Sequence, residues 1–214
     1  TEPEKTFEEV LDEHPVSIQI DGQWQTFPNA KAAEEASYEE YKANLRHNAQ
    51  NFRITDAHLG EGGPKAKFQA NINAIRLLKE LEAAGQQASP EQQEVLSRYV
   101  GWGGLADAFD PEKPAWALEY AQLKELLTPE EYAAARSSTL NAHYTSPTVI
   151  QSIYEAVGRM GFETGNILEP SMGVGNFFGM LPEEMRNSRL YGVELDPVSG
   201  RIAKQLYPKA DITV

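Results

Sequence analysis

Apolar residues recur three and four apart over most of the chain, and short alternating or continuous apolar runs appear near its two ends. Phe68, Ile72, Ile75, Leu78 and Leu81 share one face of a helix predicted over Pro64–Ala84, with Gly85 after its end. Ser89-Pro-Glu-Gln92 and Thr128-Pro-Glu-Glu131 are capping boxes with proline at the first helical position; they open helices predicted to about Tyr99 and about Arg136. Another helix is predicted over Pro114–Leu127. Residues 29–48 are rich in Ala and Glu and predict a largely exposed helix with a narrow stripe of Tyr38, Tyr41 and Leu45. Val149, Ile150, Ile153 and Val157 predict the buried side of a helix from Pro147, capped by Thr145 or Ser146. Asp196 caps a helix from Pro197 to Gln205.

The strand signals are shorter. Val16–Ile20 and Gln23–Phe27 flank Asp21-Gly22, which predicts a hairpin, preceded by an acidic segment with a short helix around Phe7, Val10 and Leu11. Ile167-Leu168 predicts a buried strand, Leu190–Leu195 a second, and Ile212 the start of a third. A glycine turn and a helix start at Asn176-Phe-Phe178 separate the first two, which makes a βαβ unit. The fold class is therefore α/β. An acidic segment and hairpin occupy 1–28, a helical region 29–140, and the first part of a doubly wound sheet 141–214.

Two glycine-rich stretches punctuate the helical part. Residues 52–63 read as a connector in which Arg53, with Lys65 and Lys67 beyond it, gives a basic tint able to meet a phosphate; the connector is the simpler assignment. Gly101-Trp-Gly-Gly104 reads as a tight turn with Trp102 as a buried plug rather than a base-stacking platform.

Composition narrows the chemistry. With 214 residues, 41% of them hydrophobic, the chain can bury a sizeable core. It has no cysteine, which excludes disulfides and thiolate zinc sites. His14, His47, His58 and His143 lack ligand spacing, so no metal is expected. No apolar run suits a membrane span and no signal peptide is visible, which leaves a cytoplasmic location as the default. A net charge of −13 opposes direct binding of DNA phosphates. The chain opens at Thr1 rather than Met and stops at Val214 as a strand begins, as expected for a piece of a longer protein.

The chemistry concentrates in Glu169-Pro-Ser-Met-Gly-Val-Gly175 and in Glu194, which ends the second strand about 20 residues past the glycines. Gly173 and Gly175 permit a tight turn and leave room for a ligand against the main chain. The helix that follows offers free N–H groups and a positive dipole end. Glu194 can accept both hydroxyls of a ribose. Glu169 puts a carboxylate beside the same turn, which disfavours a pyrophosphate and suits a ligand carrying ammonium or sulfonium. S-adenosylmethionine has a ribose, a carboxylate, an ammonium and a sulfonium. A nicotinamide-dependent Rossmann enzyme is the alternative within this layout.

These residues also carry a resemblance. Leu168-Glu-Pro-Ser-Met-Gly-Val-Gly-Asn-Phe177 resembles the cofactor motif of adenine-specific DNA amino-methyltransferases, and Tyr191-Gly-Val-Glu-Leu-Asp-Pro197 their ribose motif. His143-Tyr-Thr-Ser-Pro147 is similar to the segment that precedes the cofactor motif in that class. Asn51-Phe-Arg-Ile-Thr-Asp56, Leu59-Gly-Glu-Gly-Gly-Pro64 and Tyr99-Val-Gly-Trp-Gly-Gly104 resemble a subgroup of very large proteins of bacterial conjugative elements and phages, in which a helicase region follows the methyltransferase region. The resemblance implies a Rossmann-like (class I) methyltransferase sheet, S-adenosylmethionine as cofactor, and DNA as a partner of the full-length protein. It implies that Tyr144 and Thr145 contact the methionine portion, Glu169 faces its ammonium and Ser171 to Gly175 line its carboxylate. Glu194 would hold the ribose and Leu195 pack on the adenine. The family's catalytic string, Asn or Asp, two prolines and an aromatic, does not occur in Thr1–Val214 and is expected beyond it. No catalytic residue is therefore assigned here, and a non-catalytic scaffold with this fold is the third reading.

Overall fold

The computed structural model describes residues 14–20, 22–40 and 50–214 in full and residues 41–48 by their backbone alone. The chain forms two compact units, Thr1–Ala49 and Gln50–Val214. The boundary falls inside the stretch expected as one helical region.

In the first unit, β1 (Val16–Ile20) and β2 (Gln23–Phe27) pair antiparallel, with Val16 opposite Phe27 and Ile20 opposite Gln23. Gly22 takes the left-handed conformation that closes the turn. Helix α1 (Ala30–Asn48) packs on this hairpin through buried Ala33, and the Asn29 side chain accepts from the Ala32 amide at 2.8 Å to cap it. The helix expected around Phe7, Val10 and Leu11 lies outside the described residues, as do Asp21 and the side chains of Tyr41 and Leu45.

The second unit joins helices to a small parallel sheet. Its helices are α2 (Pro64–Ala84), α3 (Pro90–Ser97), α4 (Ala117–Leu126), α5 (Pro129–Ser138) and α6 (Pro147–Arg159). Both expected capping boxes form, Ser89 with Gln92 and Thr128 with Glu131. The chain then alternates β3 (Asn166–Glu169), α7 (Asn176–Gly179), β4 (Arg189–Val193), α8 (Pro197–Leu206) and β5 (Asp211–Thr213). The sheet order is β3-β4-β5, all parallel, with Ile167 beside Leu190 and Gly192 beside Ile212.

Helix α8 ties the helices to the sheet. Its Gln205 accepts from the Ala88 amide at 2.8 Å, and the Gln205 carbonyl accepts from Gln93 at 3.0 Å. Its Arg201 reaches Glu131 on α5 at 2.8 Å, and Glu131 also pairs with Lys79 on α2 at 2.9 Å. The connector at 52–63 begins as a strap: the Phe52 and Ile54 amides donate to the Leu206 and Gly179 carbonyls, and Arg53 donates to the Leu181 carbonyl. Lys65 is spent on structure, against Glu119, the Ala115 carbonyl and the Trp116 ring. Trp102 is a buried plug packed edge-on against Tyr99 and Phe109.

Two expectations about burial are corrected. Leu168 is 62% exposed, and Val149 and Ile153 are 49% and 41% exposed. Neighbours in a parallel sheet share a face, so Ile167, Leu190, Gly192 and Ile212 face the core while Leu168, Tyr191 and Val193 face away. Leu168 and Val193 on that second face are exposed, and among the described residues β3 pairs with β4 alone. The four apolar positions of α6 fall within an arc of about 100°, but the packed side is turned toward Tyr154, which leaves Val149 and Ile153 at its outer margin. Ile150 and Tyr154 take the buried side, where the Tyr154 hydroxyl donates to the Phe177 carbonyl at 2.8 Å. An apolar strand with an open edge recruits other chains. Sedimentation of these 214 residues should therefore show an average mass that rises with concentration. A monomer independent of concentration would contradict an exposed β3 edge.

Candidate functional site

The carboxyl ends of β3 and β4 carry Glu169 and Glu194, with the 170–175 turn between them. Gly173 and Gly175 have φ of +56° and +82°, conformations that side-chain-bearing residues adopt at a cost. The Gly173 amide donates to Glu194 Oε2 at 2.6 Å, and the Asp196 amide donates to Oε1 at 2.8 Å. Glu194 thus joins the turn to the corner between β4 and α8. The backbone already supplies each carboxylate oxygen with a partner. Each oxygen keeps further lone-pair capacity, and Glu194 borders the cavity.

The space beside the glycines is not left for a ligand as expected. A Cβ on Gly173 would sit 2.7 Å from the Tyr144 ring, and one on Gly175 would sit 2.6 Å from the Tyr207 ring. Gly175 is buried and lies away from the cavity, so its conformation serves the fold. The helix after the turn, α7, is a single turn of four residues, too short to bring a sizeable dipole to bear on an anion.

Tyr144, Thr145, Glu169, Ser171, Gly173, Glu194 and Leu195 surround one cavity of about 610 Å³. That volume suits a small organic ligand. Of the residues expected from sequence, Gly175 alone falls outside it. Leu195 is 95% exposed, so core packing does not explain it. Ser146 takes the N-cap position of α6, as expected, but without a side-chain hydrogen bond; its carbonyl accepts from Val149 and Ile150. The opposite wall was not foreseen. Tyr99 and Gly101, the Ser137–Ser138 end of α5, Asn141, Asp196 and Ser199 complete it. Only the resemblance at Tyr99–Gly104 pointed there, and it carried no chemistry.

The electrostatics are one-sided. Glu169, Glu194 and Asp196 border the cavity, and among the described residues no lysine or arginine does. Glu169 Oε2 is buried without a hydrogen-bond partner. Burial, and then the nearby Glu194, push the Glu169 carboxyl up to about 8. Burial also raises the Tyr144 hydroxyl, which pairs with Ser199 at 3.1 Å and so stays neutral. Ser199 donates through both its amide and its hydroxyl to Asp196 Oδ2.

The raised carboxyl sets a pH dependence. The folded protein holds the Glu169 proton more tightly than the unfolded chain, so this contribution to stability is complete below the ordinary carboxylate range and fades as pH rises through about 8. Melting temperature should fall over that window, and Glu169→Gln should flatten the fall. A cation at the site favours ionised Glu169, so its affinity should rise with pH until about 8. Identical melting profiles for wild type and variant would contradict this placement of Glu169.

No family model matches the chain, and no solved structure matches it. It is similar, at 24% identity over 155 residues, to "Defense against restriction protein B" of Escherichia phage P1, which covers 72% of this chain and 5% of that protein. It is similar, at 38% identity over 61 residues, to "Type II methyltransferase M.CvrRI" of Paramecium bursaria Chlorella virus XZ-6E, which covers 28% of this chain and 16% of that protein. The chain thus spans a small part of either relative, and part of it is methyltransferase-like. Among the described residues no helix is long and apolar enough to cross a membrane, and no His, Asp and Glu group could hold a metal.

Proposed function

We propose that this chain is the cofactor-binding part of an S-adenosylmethionine-dependent DNA methyltransferase that acts on the adenine amine. Its sheet would be the first part of a Rossmann-like (class I) methyltransferase fold. The observation that carries this is the cavity at the ends of β3 and β4, bordered by Glu169, Glu194 and Asp196 and, among the described residues, by no lysine or arginine. A ligand with sulfonium and ammonium groups is favoured there, whereas the pyrophosphate of a nicotinamide dinucleotide would face the carboxylates of Glu194 and Asp196, joined by Glu169 as pH rises through about 8. The partial likeness to a type II methyltransferase supports the same conclusion.

The residues divide the ligand between them. Glu194 accepts from the ribose hydroxyls with the lone pairs its backbone donors leave free, and exposed Leu195 packs on the adenine. Glu169, whose buried oxygen lacks a partner, faces the ammonium. Tyr144 and Thr145 border the methionine portion, and Ser171 and Gly173 lie along its carboxylate. When bound, S-adenosylmethionine supplies a methyl carbon activated by the sulfonium. The chain's own contribution is to bind and orient, because no Asn or Asp followed by two prolines and an aromatic occurs in it to hold a flipped adenine. DNA is reached through the longer protein, in which a helicase region can follow.

Transfer of labelled methyl to genomic DNA tests this. A protein extended through further strands is expected to transfer, and the 214 residues alone are not. Transfer by the short chain would mean a catalytic group within it. Transfer by neither, with cofactor still bound, would favour a non-catalytic scaffold.

A further inference from the structure

The turn Gly101-Trp-Gly-Gly104 has no part in the ligand contacts above, yet it is moulded closely to them. Gly101 has φ +69°, and a Cβ there would lie 2.5 Å from one edge of the Tyr144 ring. Gly173, from the β3–α7 turn, meets the opposite edge of the same ring at 2.7 Å. A Cβ on Gly103 would fall 2.0 Å from the Ala142 carbonyl oxygen, so the turn's main chain rests directly on the segment leading into Tyr144. The Gly104 amide donates to the Thr139 carbonyl at 3.2 Å, which ties the turn to the start of that segment.

One side chain holds the turn itself. Asn71 lies on the core face of α2 and is fully buried. Its Nδ2 donates to the Gly101 carbonyl at 2.6 Å, and its Oδ1 accepts from the Val100 amide at 2.9 Å. A buried carboxamide is costly unless both ends are paired, and here both are paired to the turn. Aspartate keeps the acceptor and loses the donor.

We propose that Asn71 and the Gly101–Gly104 turn form a template that fixes Ala142–Thr145 against the cavity, which makes Asn71 a positioning residue for the ligand contacts of Tyr144 and Thr145. This rests on the S-adenosylmethionine assignment and extends the site to α2. The template acts on the methionine end of the ligand, since Tyr144 and Thr145 border that end, and not on the adenosine end at Glu194 and Leu195.

Calorimetric titrations with S-adenosylmethionine and with adenosine separate the two ends. Asn71→Asp and Gly103→Ala should each weaken S-adenosylmethionine by about tenfold or more and leave adenosine within about twofold. In a Tyr144→Ala background, Asn71→Asp should have a clearly smaller effect, because the ring is already removed and only the Thr145 contact is left to position. Equal losses for both probes, unchanged S-adenosylmethionine binding, or additive losses in the double variant would overturn the template. Should the variants fail to fold, amide exchange in the wild type decides. S-adenosylmethionine should slow exchange at 100–104 together with 142–145, and slowing confined to 169–175 and 194–196 would overturn the proposal. A wild-type chain that binds neither probe would instead refute the cofactor assignment beneath it.

Discussion

Glu194→Ala is expected to abolish measurable S-adenosylmethionine binding and to lower stability by about 2–4 kcal/mol. The two losses share a cause. The carboxylate accepts from the Gly173 and Asp196 amides, and removing it strands both donors where the 170–175 turn meets α8. A fully buried unsatisfied donor costs about 1–3 kcal/mol; the two created here are partly buried, so water offsets some of that cost. The proposed ribose contact would disappear in the same step. Glu194→Gln should be little better, because one carboxamide end would present N–H to N–H. Denaturant unfolding reads the stability and calorimetry reads the affinity. A stable variant with wild-type affinity would show that Glu194 neither fixes the turn nor touches the ligand.

Glu131→Ala is expected to destabilise the second unit by about 2–4 kcal/mol. Glu131 completes the capping box of α5 and pairs with Lys79 on α2 and Arg201 on α8, so three helices meet on one carboxylate. Its removal leaves Lys79 without a carboxylate and Arg201 with Glu82 alone. Those cations are partly exposed, which lets water offset some of the loss and keeps the figure below that of a fully buried pair. Burial alone would raise the Glu131 carboxyl, but hydrogen bonds from Lys79, the Thr128 amide and Arg201 outweigh it and hold the group below the usual range. Its stabilisation is therefore complete above the ordinary carboxylate pKa and lost as pH falls through the lowered one. The gap in melting temperature between wild type and Glu131→Gln should close in acid; a gap that persists there would rule out the ionic role.

The parts of the fold legible in the sequence were those with local causes. The capping boxes at Ser89 and Thr128, the αL glycine at Gly85 and the Gly22 hairpin each follow from residues a few positions apart. The alternation of strand, glycine turn and helix located the cavity, because ligand groups gather where parallel strands end. Local pattern could not say what covers an apolar face, so Leu168, Val149 and Ile153 were expected inside. Nor could it show that the room beside Gly173 is taken by Tyr144, or that Glu194 is held by main-chain amides. Those facts depend on residues about 20 to 70 positions away in sequence, as does the wall built from Tyr99, Ser138 and Asn141.

The central claim is that the carboxylate-lined cavity selects a cationic nucleoside over a dinucleotide. Calorimetric titration of the 214-residue chain with S-adenosylmethionine and, separately, with NAD near the Glu169 midpoint of about pH 8 tests it directly. One-to-one binding of S-adenosylmethionine, lost in Glu194→Ala, with no heat from NAD, is the predicted result. Binding of NAD in place of S-adenosylmethionine, or of neither, would contradict it.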